Sequence, residues 1–538
     1  MHTASEETSG STLSALLSAH AESHGSAPAI LSPGRPPLTY AALWQQARHI
    51  ASVIAAHATE TPPRVAVVLP NGAELATACL GVAACSACVP LNQRSTEAEL
   101  RMYLRDTRAQ LVMFQGSERG PIRDVALDMD LQALEVEWDP ALPAGELHIR
   151  SSRPAGTATQ RRIEADDVAL VLHTSGTTGQ PKIVPLTHRN LLASARAIAE
   201  HLALTPADRC LNVMPLFHIH GLVGALLASI EAGASIVCTP GFDERMFFQW
   251  IAAFDPTWYS AVPTIHQSVV ANGAAYRATA SGHRFRFVRS CSSALPAKTL
   301  HALEALTGAP VVEAYGMTEA SHEMASNPLS GARKTDSVGI PSGTEIAIMN
   351  TAGELLDKRA TGEIVIRGAG VMRGYEHDAA ANDAAFSNGW FRTGDEGHFD
   401  ADGYLHITGR LKEVIKRGGE TIAPREIDTA VLEHPDVAQA IAFAIPHPTL
   451  GQDVAVAVVL RRAARVTETE LRRFVLGRLS AAKVPSCVVF VDTIPKGATG
   501  KVQRTSLYEK LRSSIVRTDR AAGTELERSL EAIFRNVL

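Results

Sequence analysis

From residue 12 to about residue 411, short runs of Val, Ile and Leu alternate with Ala-rich stretches of helical period. That alternation restricts the fold more than any other feature of the chain. VAVVLP (65–70), QLVMF (110–114), ALVLH (169–173) and ASIVC (234–238) read as buried strands, and residues 190–204 read as a helix between two of them. Parallel strands need a crossover between them, usually helical, so the pattern predicts an α/β architecture with largely parallel sheets. The character changes near residue 400. GHFDADGYLHITGR reads as a hairpin turning at Asp402-Gly403. Beyond it, helical stretches 424–432 and 468–479 flank strands 438–444 and 454–460, which predicts a second, smaller α+β domain of roughly one hundred residues. With 538 residues the chain is too long for a single core.

Composition excludes several classes. A net charge of -5 does not leave the basic footprint of a nucleic-acid binder. The first ten residues lack a basic stretch followed by an apolar one, so no export signal is visible. Residues 75–91 are short and made mostly of small side chains, and residues 221–240 are interrupted by Glu231; both predict buried helix and strand in place of membrane spans. The seven cysteines include Cys85-x-x-Cys88, but no second pair completes a zinc set, and the Ala-rich helical setting predicts packing residues. An odd cysteine count without an export signal fits a reducing cytoplasm.

The loop HTSGTTGQPK (173–182) carries chemistry. Gly176 and Gly179 allow main-chain N–H groups to converge, Thr174, Ser175, Thr177 and Thr178 add hydroxyl donors, and Lys182 adds a cation. Such a set holds a polyphosphate at little reorganisation cost. The spacing is not that of Walker A, and by composition alone a polar turn is the commoner reading.

The end of the chain has two readings. Residues 513–523 are polar and loop-like; then TELERSLEAIFRNVL places Leu526, Leu530, Ile533, Phe534, Val537 and Leu538 on one helical face, with Thr524 and Glu527 as a capping box. It is either a docking tail or the opening helix of a further domain.

Six segments stand in the order found in the adenylate-forming superfamily: HTSGTTGQPK, PLFHIHG (215–221), YGMTEA (315–320), WFRTGD (390–395), GRLKEVIKRGGETIAPREID (409–428) and PKGATGKVQR (495–504). The chain resembles that superfamily, which includes acyl-CoA synthetases, peptide-synthetase adenylation domains and luciferases, from about residue 15 to 512. The resemblance implies that ATP and Mg2+ convert a carboxylic acid into an acyl-AMP, and that a pantetheine thiol then takes the acyl group. It implies a domain at 1–409 holding the ATP and acid sites, a hinge at 410–414 pivoting on Lys412, a lid at 415–512, and a linker with a possible truncated carrier helix at 513–538.

Site residues follow from the same resemblance. Ser175, Gly176, Thr177, Thr178, Gly179 and Lys182 would cradle phosphate. Glu319, with Thr174, would hold the metal, and Thr318 would reach the α-phosphate. Tyr315 and Gly316 would face adenine. Asp395 and Arg410 would hold ribose, and Lys501 would bridge the acid and the α-phosphate. Gly418 and Gly419, an ordinary turn on local grounds, would let a pantetheine arm pass close to the backbone.

The acid is read from the pocket motifs. Amino-acid-activating relatives carry an Asp in the segment written here FHIHG, and this chain has His218. RSCSSALPAKTL (289–300), the following EAYGMTEASHEM and TWYSAVPTIHQ (257–267) are together most similar to plant and fungal oxalate–CoA ligases. His218, Ser292 and His322 would then hydrogen-bond a second carboxylate, which must not be buried unpaired; otherwise Ser292 merely satisfies backbone while the histidines stack or cap. Other readings are a related small dicarboxylic or 2-oxo acid, a loading adenylation domain passing its acid to a carrier arm, a medium- or long-chain fatty acyl-CoA synthetase, and a silent scaffold on this fold. The predicted partners are a small acid and CoA or a carrier domain.

Overall fold

The computed structural model describes residues 12–58, 62–117, 120–151, 161–174, 181–280, 282–462, 464–495 and 502–519. The loop residues Ser175, Gly176, Thr177, Thr178 and Gly179, as well as Lys501 and the terminal 524–538 pattern, lie outside the described residues. The chain divides into two units: one takes residues up to 360 with 365–393 and 399–406, the other takes 361–364, 394–398 and everything from 407. The division passes through the strands Gly362–Arg367 and Trp390–Phe399.

Among the described residues, the first unit carries two largely parallel sheets. One is nine-stranded and runs Ile340–Pro341, Ala325–Ser326, Val311–Tyr315, Phe287–Ser290, Trp258–Ala261, Arg209–Asn212, Ser235–Cys238, Pro28–Leu31, Leu38–Thr39. The other is seven-stranded and runs His148–Ser151, Gln132–Glu137, Leu111–Gln115, Arg64–Val68, Ala87–Pro90, Val168–Thr174, Lys182–Thr187. In the larger sheet, the strand after Arg209–Asn212 goes to one side and the next, Trp258–Ala261, to the other. Such a switch point opens a crevice at the carboxyl ends of the strands. The segment PLFHIHG leaves the sheet there, directly after Asn212.

One face of this sheet packs Leu211, Tyr259, Val288 and Val311 under the helices Phe247–Phe254 and Ala297–Thr307. Side chains alternate along a strand, so the neighbouring positions face the other way. There the register aligns Asn212 with Ser260, Ser260 with Arg289 and Arg289 with Val312. A polar row therefore crosses the middle of the sheet, and all three of its polar members are fully buried. The π-helix Leu222–Leu227 lies in the element that follows PLFHIHG. Helices of this type often mark functional sites.

The second unit is built on Glu420–Ile422, Ile415–Arg417, Gly451–Leu460 and Val437–His447, with Cys487–Phe490 added alongside Gly451–Leu460. Its helices Pro424–Leu432 and Glu468–Leu476 bury Ile427, Val431, Leu471 and Val475 against the sheet.

Three sequence expectations are corrected. Residues 513–519 continue the helix Leu507–Asp519, because Leu507, Leu511 and Ile515 fall on one face and pack with Phe443, Cys487 and Val489. Cys88 is not helical. The helix Ala73–Ala83 closes through Ser86 N–H to Val82 O, and Cys88 joins a strand beside Val65. The hairpin near residue 400 does not turn on two residues. Its loop is closed by Asp400 N–H to Tyr404 O, and the Asp400 carboxylate accepts from the Asp402 and Tyr404 amides. An Asp that organises its own loop is an alternative to a tight Asp-Gly turn.

Candidate active site

The sequence-predicted site residues fall in four groups of side chains, three in the first unit and one in the second. The first lies at the mouth of the phosphate-loop hairpin. Thr174 and Lys182 stand opposite each other where the antiparallel strands Val168–Thr174 and Lys182–Thr187 meet. Lys182 Nζ lies 4.3 Å from the centre of the Tyr375 ring. His173, next to Thr174, packs its ring 4.4 Å from Tyr103, and burial pushes its pKa down to about 4, so it is neutral.

The second group surrounds Glu319. This residue lies on the short 3-10 turn Thr318–Ala320, just beyond the strand Val311–Tyr315, and is 7% exposed. Its Oε1 accepts a 2.9 Å hydrogen bond from the Tyr375 hydroxyl. Its carbonyl accepts from Met372 N–H. Burial and the adjacent Glu319 charge both hold the Tyr375 phenol far above its ordinary pKa, so it stays a donor. Tyr375, in the segment RGYEH, went unnoticed in the sequence because a lone aromatic after a loop carries no distinguishing pattern. It is the residue that joins Lys182 to Glu319. Among the described residues no cluster of three His, Cys, Asp or Glu is poised for a metal. A single buried carboxylate suits Mg2+, which keeps its waters and takes its remaining ligands from phosphate oxygens.

The third group is the one the sequence assigns to the acid. Ser292 Oγ lies 3.0 Å from His220 Nδ1, and His220 Nε2 lies 2.7 Å from Ser260 Oγ. The rings of His220 and His322 stack at 5.2 Å. His322 Nε2 lies 2.9 Å from the Arg289 guanidinium, whose other nitrogen lies 2.5 Å from Glu323 Oε2. The ring that touches both Ser292 and His322 is thus that of His220, two residues beyond the expected His218. His218 itself N-caps the short helix Ile219–Gly221, half-buried, with its ring 4.7 Å from Phe217.

Arg289 and Glu323 also went unnoticed, although an arginine within the apolar strand sequence FVRS was a usable signal. Ser292 and His322 have φ of 74° and 98°, a region that costs a non-glycine residue about 1–3 kcal/mol. The surroundings enforce it. Ser194 donates to Ser321 O and accepts from Glu323 N–H, clamping the loop on both sides of His322. At Gly316 a Cβ would fall 1.4 Å from His322 O, and at Gly224 it would fall 2.4 Å from His322 Nε2. Gly316, expected to face adenine, is therefore the residue that lets the His322 loop close.

The fourth group belongs to the second unit. Asp395 is 4% exposed and accepts from Arg410 Nε at 2.8 Å. Lys412 sits exposed in the turn closed by Glu413 N–H to Arg410 O. Gly418 and Gly419, with φ of 57° and 90°, form the tight turn between Ile415–Arg417 and Glu420–Ile422. Arg504, the last residue of the segment containing Lys501, is pinned by Asp428 at 2.7 Å and Glu413 at 3.0 Å.

The AMP-binding enzyme family matches residues 17–376, and its C-terminal domain matches residues 426–501. The chain belongs to the AMP-binding enzyme family. Among its relatives, the oxalate–CoA ligase of Arabidopsis thaliana is 40% identical over 504 residues, covering 92% of this chain and 97% of that protein. The sulfoacetate–CoA ligase of Cupriavidus necator is 39% identical, again covering 92% and 97%. The ATP-bound crystal structure of MatB from Rhodopseudomonas palustris superimposes with a TM-score of 0.83 at 28% identity, over 93% of this chain and 99% of that one. This AMP-binding enzyme is accordingly an ATP-dependent acid–thiol ligase that works through an acyl-adenylate. No helix among the described residues is long and apolar enough to cross a membrane.

Proposed function

We propose that the enzyme activates oxalate, or a small acid with a second anionic group, and passes the acyl moiety to CoA. The carrying observation is the polar set formed by buried Arg289, His322, His220 and Ser260 with half-buried Ser292, where a site for a hydrocarbon acid would present apolar side chains. A pocket built on polar groups rejects apolar acids by about 10^4, because its own donors would lose their partners. The relatives named for oxalate and for sulfoacetate both handle short acids bearing two charges, which supports the same class.

Each part then takes a role. The loop 175–179 with Lys182 cradles the phosphates. Glu319, with Thr174, would hold Mg2+, which when bound would supply positive charge at the pyrophosphate, and Thr318 would reach the α-phosphate. Tyr315 offers its ring to adenine, and Asp395 and Arg410 hold ribose. Lys501 meets the charge growing at the α-phosphorus. Lys412 is the pivot, and the Gly418-Gly419 turn leaves room for pantetheine. The acceptor in this reading is CoA. A carrier arm is the alternative, and its support is limited to the helical pattern at 524–538.

The test is pyrophosphate exchange with oxalate, malonate, sulfoacetate, pyruvate, benzoate and octanoate. Oxalate or a near analogue should lead, and His322→Ala should lose that acid preferentially. Octanoate turned over as well as oxalate would defeat the reading.

A further inference from the structure

Arg289 is fully buried in the strand Phe287–Ser290, and its charge is balanced by Glu323, 2% exposed, at 2.5 Å. A guanidinium has five N–H donors and no acceptor. The nitrogen 2.9 Å away, His322 Nε2, must therefore accept, and an accepting imidazole nitrogen carries no proton. The other charged and titratable groups around this ring are consistent with that state. His220 stacks on its face with both nitrogens engaged by serine hydroxyls, and Glu323, on the same loop, spends its Oε2 on Arg289. Gly224, having no side chain, leaves the space this ring occupies beside the arginine; a Cβ there would fall 2.4 Å from Nε2.

We propose that Arg289 is a positioning residue that locks His322 as the neutral Nδ1–H tautomer. His322 then offers the acid one fixed hydrogen-bond donor and no titrating charge. The contribution of His322 to specificity is thereby independent of pH across the range in which a free histidine would ionise. The assignment rests on the acid-binding reading of His322 for its consequence, while the tautomer itself does not.

Two measurements on the full-length enzyme separate these. In protein labelled with 15N-histidine, the His322 resonances are identified by their loss in His322→Asn. Its Nε2 should keep the chemical shift of an unprotonated nitrogen from pH 5.5 to 8.5, and in Arg289→Met it should titrate. A protonated Nε2 in the unaltered enzyme overturns the proposal.

The second measurement compares two amide replacements that leave the Arg289–Glu323 pair in place. His322→Asn sets its N–H near the former Nδ1, and His322→Gln sets its amide near the former Nε2. The Asn variant should retain kcat/KM for oxalate within about 10-fold, and the Gln variant should lose about 100-fold or more, mainly through KM. Equal loss in both variants overturns the tautomer's role in binding. A correct tautomer in an enzyme that prefers apolar acids would instead refute the oxalate reading and leave the arginine's role standing.

Discussion

Tyr375 donates its hydroxyl to Glu319 Oε1 over 2.9 Å while its ring lies beneath Lys182 Nζ at 4.3 Å. One aromatic side chain thus couples the cation of the phosphate loop to the carboxylate expected to hold the metal. A hydrogen bond to a charged group contributes about 1.5–3 kcal/mol. Tyr375→Phe keeps the ring and removes the donor, so pyrophosphate exchange should fall by roughly 10- to 100-fold, with a raised Mg2+ requirement. Titrating exchange activity against Mg2+ checks this; an unchanged midpoint and rate would remove Tyr375 from the site.

Gly224 tests the acid pocket from the opposite side. A Cβ there meets the tip of the His322 ring and not backbone, so the ring must move while the fold survives. Overpacking of this size costs about 1–3 kcal/mol. Gly224→Ala should keep a melting temperature within several degrees of the parent enzyme and lose about 10-fold or more in kcat/KM for oxalate. A variant that melts far lower without any kinetic change would assign Gly224 to packing alone.

Three buried histidines predict an acid limb of stability. Burial pushes His173, His188 and His266 down to about 4, from an ordinary value of 6.5. His188 also accepts from Leu13 N–H, which requires its neutral form. Between those values the unfolded chain binds more protons than the folded one, so stability is complete above pH 6.5 and is lost as pH falls towards 4. Each group contributes roughly 3 kcal/mol over that window. Urea midpoints measured from pH 7.5 to 4.5 should fall accordingly. His188→Asn, which keeps an acceptor for Leu13 near the former Nδ1 but cannot charge, should flatten the limb. An equally steep limb in that variant would exclude His188.

The two half-reactions separate at two lysines of the second unit. Lys501→Ala should lower pyrophosphate exchange by about 10^2-fold or more, because it removes the charge proposed to meet the α-phosphate. Lys412→Pro stiffens the turn after Arg410. It should spare exchange while slowing thioester formation, measured as CoA ester released from preformed acyl-AMP. Equal damage to both steps by both variants would end the proposal of a pivot at Lys412.

Much of the architecture was legible because its signals are local. Residues 424–432 and 65–70 carry their own periodicity and breakers, and they appear as the helix Pro424–Leu432 and the strand Arg64–Val68. The segments that went astray are those decided by distant partners. Cys88 follows helix-forming neighbours, yet its place is set by Val65 across a parallel ladder. Residues 513–519 look polar, but Leu507, Leu511 and Ile515 have a sheet to pack on.

Six motifs, read by residue type and order, were enough to place the chain in its superfamily and so to imply its reaction, among them a glycine-rich loop, a carboxylate after a strand, the Asp of WFRTGD and a lysine late in the chain. Which histidine meets Ser292 and His322 was a tertiary decision. PLFHIHG contains two candidates, and only the sheet register that sets Ser260 beside Arg289 brings His220 onto Ser292 and His322. The same holds for the proton on His322. Its position depends on a guanidinium 33 residues earlier in the chain, and no local pattern encodes a contact between a strand interior and a loop that backbone folding alone brings within 2.9 Å.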